Sequence, residues 1–230
     1  RLRGKILKKI NNIKNLKIMI ERIEKLPRFK KKIIINISKK NSSKIEKFCK
    51  KNNLKYFIGS DSNVLKRYFD CATKYKVNNI IRIPSDCPLI DPKIIEKGLK
   101  LYQNNNYSYV TNLCPATYVD GNDVEIIDYK TLKKIKDESK TSFDKEHVTT
   151  YLRNRLNQFK YKNFQSNKNL SKTYRLTVDF KEDFLLIKMI VLKLGIYANY
   201  TKIINFLKKN KKLSSINKKH IGEMWYQKNF

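Results

Sequence analysis

Ile80-Ile81-Arg82-Ile83-Pro84-Ser85-Asp86-Cys87-Pro88-Leu89-Ile90-Asp91-Pro92 carries the strongest structural signal in the chain. The run from Asn79 to Ile83 is β-branched and too short for a helix, which predicts a buried strand. It breaks into a loop that holds a carboxylate, Asp86, between Pro84 and Pro88. Pro92 then opens a helical pattern to Asn104, at a position where its missing N–H costs nothing. Strand, acidic loop and helix in that order mark the carboxyl end of a strand, where an α/β sheet presents a ligand site. An aspartate there either holds a hard divalent cation on a phosphate or simply caps a turn.

Upstream, the same alternation repeats. Ile33 to Ile37 predicts a buried strand, and Ser42 or Ser43 can cap a helix that turns Ile45, Phe48 and Cys49 inward. Lys55 to Ile58 predicts a strand closed by Gly59-Ser60-Asp61, followed by a helix with Val64, Leu65, Tyr68, Phe69 and Ala72 on one face. Arg67 stands off that stripe, where it reaches a ligand or water. Repeated β-α units of this length predict an α/β fold with a largely parallel sheet covered on both faces. Ahead of them, Leu16, Met19, Ile20, Ile23 and Leu26 recur at helical spacing and stop before Pro27. The opening Arg1-Leu2-Arg3-Gly4-Lys5 suits a loop along a polyphosphate, with Lys5 as a point charge and Arg1 as a fork.

Downstream, Tyr107 to Thr111 and Val124 to Ile127 read as strands. Between them, Pro115 to Asp123 is a long irregular loop with two carboxylates, a tyrosine and a glycine, either a substrate loop or a polar surface crossing. Glu146-His147 sits near the start of a helical pattern with Val148, Tyr151 and Leu152, where the histidine either touches a substrate or packs. Tyr174 to Val178 predicts a strand ending at Asp179, and a helical run follows from Phe184 to Leu194. Asp86 and Asp179, at two strand ends, can thus clasp one Mg²⁺, which takes one or two carboxylates plus substrate phosphates. Beyond Gly195, an amphipathic helix (Ile203, Ile204, Leu207) leads to a polar tail with the single Trp225.

The length, 230 residues, suits one domain with a small appendage. A formal charge of +32, from 52 Lys+Arg against 20 Asp+Glu, would draw nucleic acid or anionic membranes. The lysines are nevertheless spread through every segment among abundant Asn and Ile, and neither a zinc-finger spacing nor an RNA-recognition signature is present. No dedicated nucleic-acid partner is therefore expected. Cys49, Cys71, Cys87 and Cys114 form no C-x-x-C pair and suit buried thiols in a reducing compartment. No apolar run approaches a membrane span and no signal peptide is visible, so a cytoplasmic protein is expected.

Six stretches, in order, resemble the cytidylyltransferases that activate acidic sugars (the acylneuraminate type). Arg1-Leu2-Arg3-Gly4-Lys5 resembles the end of their R-L-P-G-K signature. Asp61-Ser62-Asn63-Val64-Leu65-Lys66-Arg67-Tyr68 is similar to D-V-L-D-R-Y in the branch called spore coat polysaccharide biosynthesis protein F. Arg82 to Pro92 resembles that branch's R-I-T-x-D-C-P-L-I-D-P, and Tyr118 to Glu125 its Y-P-D-G-x-D-V-E. Glu146-His147-Val148-Thr149 and Arg175-Leu176-Thr177-Val178-Asp179 complete the set. Arg3, Asn63, Lys66 and Pro84 depart from the family pattern.

The resemblance implies a Rossmann-like, mostly parallel sheet of the GT-A-like nucleotidyltransferase kind. It implies transfer of CMP from CTP to a sugar hydroxyl with release of pyrophosphate, for surface polysaccharide or glycan biosynthesis. It places Mg²⁺ on Asp86 and Asp179, which with Lys5 form the catalytic set. Arg1, Lys5, Arg67 and Arg82 would meet the nucleotide, and Asp120, Gly121, Asp123, Glu125 and His147 the sugar. It also implies a first strand and a phosphate loop ahead of Arg1, so the nucleotidyltransferase domain, 1–198, is expected to lack them. The helix and tail at 199–230 are a possible homodimer contact. Two other readings stay open: a glycosyltransferase on a related fold, and a non-catalytic basic binding protein.

Overall fold

The computed structural model describes residues 2–223. The chain begins with a hairpin, β1 (Lys9–Ile10) and β2 (Ile13–Lys14), whose turn residues Asn11 and Asn12 both take positive φ, 45° and 63°. Asparagine tolerates that conformation, and two such residues give the turn whose twist suits a hairpin. Next come α1 (Asn15–Ile23), β3 (Ile34–Ser38), α2 (Ser42–Lys51), β4 (Lys55–Gly59), α3 (Val64–Lys74), β5 (Asn79–Arg82) and α4 (Pro92–Asn104). The second half adds β6 (Tyr109–Thr111), β7 (Glu125–Asp128), α5 (Tyr129–Glu138), α6 (Ser142–Glu146), α7 (Thr150–Arg153) and β8 (Tyr161–Asn163). It closes with α8 (Lys181–Leu194), α9 (Tyr200–Lys209) and α10 (Lys211–Ser214).

The α/β class follows from this order, and the sheets are mixed. β3 and β4 pair in parallel through the α2 crossover. A four-stranded sheet runs β5-β7-β6-β8, with β7 antiparallel to both neighbours and β8 parallel to β6. β5, β6 and β8 therefore share one direction, as the sequence suggested, while β7 is reversed. The reason lies in the connection. Residues 112–124 form no helix, and without a helical crossover the chain returns antiparallel.

Two further local expectations differ. The segment 174–178 is not a strand, and its one ladder contact is an isolated bridge between Arg175 and Asp120. The helical pattern expected from His147 is broken in two, because Val148 takes φ 56° between α6 and α7.

One helix, α1, ties the pieces together. Its Leu16 and Ile20 pack on Ile37, Phe48 and Cys49, whereas Met19 and Ile23 pack against Ile90, Ile95, Val110 and Ile126. Buried Arg22 projects from the same helix and donates to four carbonyls, those of Leu89, Ile90, Ile196 and Ala198. It thereby fastens the loop that follows Asp86 to the turn between α8 and α9. Asp91 does similar work with two oxygens, one accepting from Lys93 N at the start of α4 and the other from Tyr200 N at the start of α9. The region beyond residue 198 shares the main core, since Ile203, Ile204 and Leu207 pack with Leu186, Ile187 and Ile190 of α8. Trp225 lies outside the described residues.

Replacing Arg22 by Met keeps the apolar stem but orphans three buried carbonyls and a half-buried one. The expected loss is about 3 kcal/mol or more, read as a lowered urea midpoint with an unchanged slope.

Candidate active site

The loop after β5 is held from below by its apolar residues. Cys87, Leu89 and Ile90 are buried, which leaves Asp86 to project with its side chain partly exposed. Its backbone carbonyl accepts from Val178 N at 2.8 Å and from Thr177 Oγ1 at 3.3 Å. The segment leading to Asp179 is thus laced directly beside Asp86. On the far side, Leu2 N donates to the carbonyl of Asp179 at 2.6 Å. Gly4 then takes a left-handed conformation (φ 65°), and Asn15 Nδ2 donates to the Lys5 carbonyl at 3.0 Å. This path delivers the Lys5 ammonium between the two aspartates, 2.6 Å from Asp86 Oδ2 and 2.8 Å from Asp179 Oδ1. Burial works to lower the pKa of Lys5, but Asp86 and Asp179 outweigh it and hold the ammonium above its ordinary 10.5.

Behind this triad stands Arg175, which is 2% exposed. Its guanidinium meets Asp120 Oδ2 at 2.7 Å, Asp179 Oδ2 at 2.7 Å and Asp183 Oδ1 at 3.3 Å. Asp183, in the first turn of α8, also accepts from the N–H groups of Asp179 and Phe180, both at 2.9 Å. Asn217, from beyond α10, donates to Asp183 Oδ1 at 2.7 Å and to the Arg175 carbonyl at 3.0 Å. Asp179 Oδ2 and the Asp179 N–H are thus held from behind, by Arg175 and Asp183. Asp183 and Asn217 were not singled out from the sequence. A carboxylate in the first turn of a predicted helix was a usable signal for Asp183, whereas nothing local distinguishes Asn217 from the chain's many asparagines.

The other expected site residues fall into two groups. Asp120, Gly121 and Asp123 lie against this centre. Leu176 N donates to the Asp120 carbonyl at 2.7 Å, and Gly121 adopts φ 100° where a side chain would run into the backbone of Leu176 and Thr177. Burial, together with Asp86, Asp179 and Asp183, pushes Asp120 up to about 7 in spite of Arg175. Asp123 is likewise pushed well above the usual carboxylate range, by burial first and then by Asp120, Asp86 and Glu125. The site is crowded with negative charge.

Glu125 is fully buried. It accepts from Tyr109 and Thr149 at 2.6 Å each and pairs with Arg82, directly opposite it across the β5–β7 ladder. Glu125 thus reaches any ligand through Arg82 rather than with its own oxygens. Arg67 donates to Asn36 Oδ1 at 2.9 Å and to the Ser60 carbonyl, near the ends of β3 and β4. His147 caps α6 with its ring centroid 4.4 Å from that of Phe143. Arg1 lies outside the described residues.

A hard divalent cation fits the donor set. Two carboxylate oxygens converge on one point already held by a cation. Among the described residues no group of three or more His, Cys, Asp or Glu side chains forms a metal-ligand set. A cation here would complete its shell with water and phosphate, which is how Mg²⁺ is usually bound.

The geometry defines an α/β protein with a charged centre at the carboxyl end of β5. The sequence profile of the cytidylyltransferase family matches residues 1–228, and the chain belongs to that family. A cytidylyltransferase from Leptospira borgpetersenii is 31% identical, with a TM-score of 0.87, over 93% of this chain and 91% of that one. The spore coat polysaccharide biosynthesis protein SpsF of Bacillus subtilis is 28% identical over 85% of this chain and 82% of its own length. A CMP:2-keto-3-deoxy-manno-octonic acid synthetase solved with CTP shares the fold, with a TM-score of 0.63 at 12% identity, over 84% of this chain and 93% of that one.

A methyl group at Gly121 would stand 2.6 Å from the carbonyl carbon of Leu176. Gly121→Ala is expected to destabilise the protein by about 2–4 kcal/mol, because strained φ and backbone overlap add. Thermal unfolding measures it, and an unchanged midpoint would mean that the two segments are free to part.

Proposed function

We propose that this protein transfers CMP from CTP to a sugar hydroxyl, releasing pyrophosphate, in the synthesis of a surface polysaccharide or related glycan. The convergence of Asp86 and Asp179 on one point, with Lys5 between them, carries this reading. The names of two relatives, a spore coat polysaccharide protein and a CMP–sugar-acid synthetase, support a sugar as the acceptor.

In the reaction, the acceptor oxygen forms a bond to the α-phosphorus. The bond from that phosphorus to the bridging oxygen of the pyrophosphate breaks, and the hydroxyl proton passes to a basic oxygen of the site. Such displacement needs positioning and charge neutralisation more than covalent help. Asp86 Oδ2 and Asp179 Oδ1 would hold Mg²⁺, which draws charge from the reacting phosphate when bound. Lys5 and Arg1 would meet the phosphates, and Arg67 and Arg82 the rest of the nucleotide. Asp120, Gly121 and Asp123 would form the sugar side, with Glu125 fixing Arg82, and His147 at its edge. Arg175 orients Asp179 and Asp120 from behind and stays out of reach of substrate.

Among the described residues no helix is long and apolar enough to cross a membrane, in keeping with work on CTP in the cytoplasm.

CTP-dependent pyrophosphate release, assayed against a panel of acidic and amino sugars, tests the reading and names the acceptor. Asp86→Asn is expected to lower that rate by about a thousandfold or more while the far-UV circular dichroism spectrum is unchanged. Chelation with EDTA should stop the wild-type reaction, and added Mg²⁺ should restore it. Near-native turnover by Asp86→Asn would remove Asp86 from the chemistry.

A further inference from the structure

We propose that the Lys5 ammonium is the resident cation of the Asp86–Asp179 pair, and that a divalent ion enters only by displacing it. The inference rests on the reading that these two aspartates hold the cation. Their converging oxygens, Asp86 Oδ2 and Asp179 Oδ1, are the ones that Lys5 Nζ occupies, at 2.6 and 2.8 Å. A metal ion at carboxylate distance from both would coincide with the ammonium or lie against it, and like charges so close repel strongly in a half-buried site.

Among the described residues two cations reach Asp179, Arg175 on Oδ2 and Lys5 on Oδ1, and only Lys5 stands where the metal would sit. Arg175 is 2% exposed and tied to Asp120 and Asp183 as well, whereas the Lys5 side chain is 20% exposed and, among the described residues, its ammonium is tied to the two aspartates. Lys5 is also the more mobile of the two by construction, a four-carbon stem carrying rotatable donors rather than a planar fork. Its backbone need not move, since Asn15 holds the carbonyl and not the side chain. Withdrawn from the carboxylates, the ammonium is short of an anion, and a nucleotide phosphate supplies one. Metal and nucleotide would therefore each favour the other's binding, a coupling built from one shared side chain.

Mn²⁺ binding to the nucleotide-free protein, followed by the electron paramagnetic resonance signal of free Mn²⁺, tests this. Lys5→Met is expected to bind Mn²⁺ about tenfold tighter or more than wild type, because an opposing charge has gone. Adding Asp86→Asn to that variant should abolish the gain. If Lys5→Met binds no tighter while Asp86→Asn still weakens binding, the displacement is wrong and the cation site stands. If Mn²⁺ binding is indifferent to Asp86 in both backgrounds, the cation site falls and the inference with it. A measurement on the unaltered protein guards against misfolding of the variant. Acetylation of Lys5 by acetic anhydride, mapped by peptide mass, should accelerate several-fold on adding Mg²⁺, and an unchanged rate overturns the proposal.

Discussion

Arg175 pairs with three carboxylates drawn from two separated parts of the chain, and the candidate site is arranged around that one buried guanidinium. Asp120 arrives from the irregular loop before β7, Asp179 from the segment that carries Arg175 itself, and Asp183 from the first turn of α8. A guanidinium suits this place because it stays charged when buried and presents several donors in one plane. Buried pairs of this kind contribute little net stability when intact. Removing one partner is far costlier, since the others remain as uncompensated charges in a poorly solvated space. The arrangement therefore acts mainly to fix geometry: Asp179 keeps one oxygen on Arg175, which leaves the other turned toward Lys5 and Asp86.

The same logic extends outward by capping. Asp183 accepts from the N–H groups of Asp179 and Phe180, just ahead of α8, while binding Arg175, so the start of the helix and the salt-bridge cluster cannot shift independently. Asn217 closes the cluster from the C-terminal side. Asp91 and Arg22 do the corresponding work around the Asp86 loop, anchoring its far end to α4, to α1 and to the turn before α9. Polar side chains that look like surface decoration in a lysine-rich sequence are in these places the fasteners between helices.

Part of the candidate site was legible in the chain. Local pattern marked the loop at Asp86 as a ligand site or a turn cap, repeated the strand-carboxylate-helix order at Asp179, and set Lys5 in a basic opening; the fold brings these three together. Arg82 and Glu125 were less legible, because each read as a charge facing a ligand when each is the other's partner across two strands. Arg67 was ambiguous for a related reason: a guanidinium off the apolar stripe of a helix has many partners within reach, and only the fold selects Asn36 and Ser60. Arg175 stood in a recognised motif without a stated role, since its three partners come into range only on folding.

What the sequence settled by itself was the alternation of most strands and helices, the helix start at Pro92, and the presence of carboxylates just beyond apolar runs. These depend on burial periodicity and on backbone chemistry within a few residues, which a linear pattern records. Tertiary structure alone decided that β7 runs backward, that residues 174–178 lie along Gly121 rather than in a ladder, and that Lys5 sits between Asp86 and Asp179. Each of those outcomes turns on groups far apart in sequence, with Lys5 and Asp179 separated by 174 positions. Their meeting is fixed by close backbone approach and by the need to neutralise buried charge, and neither leaves a periodic mark on the residues that satisfy it.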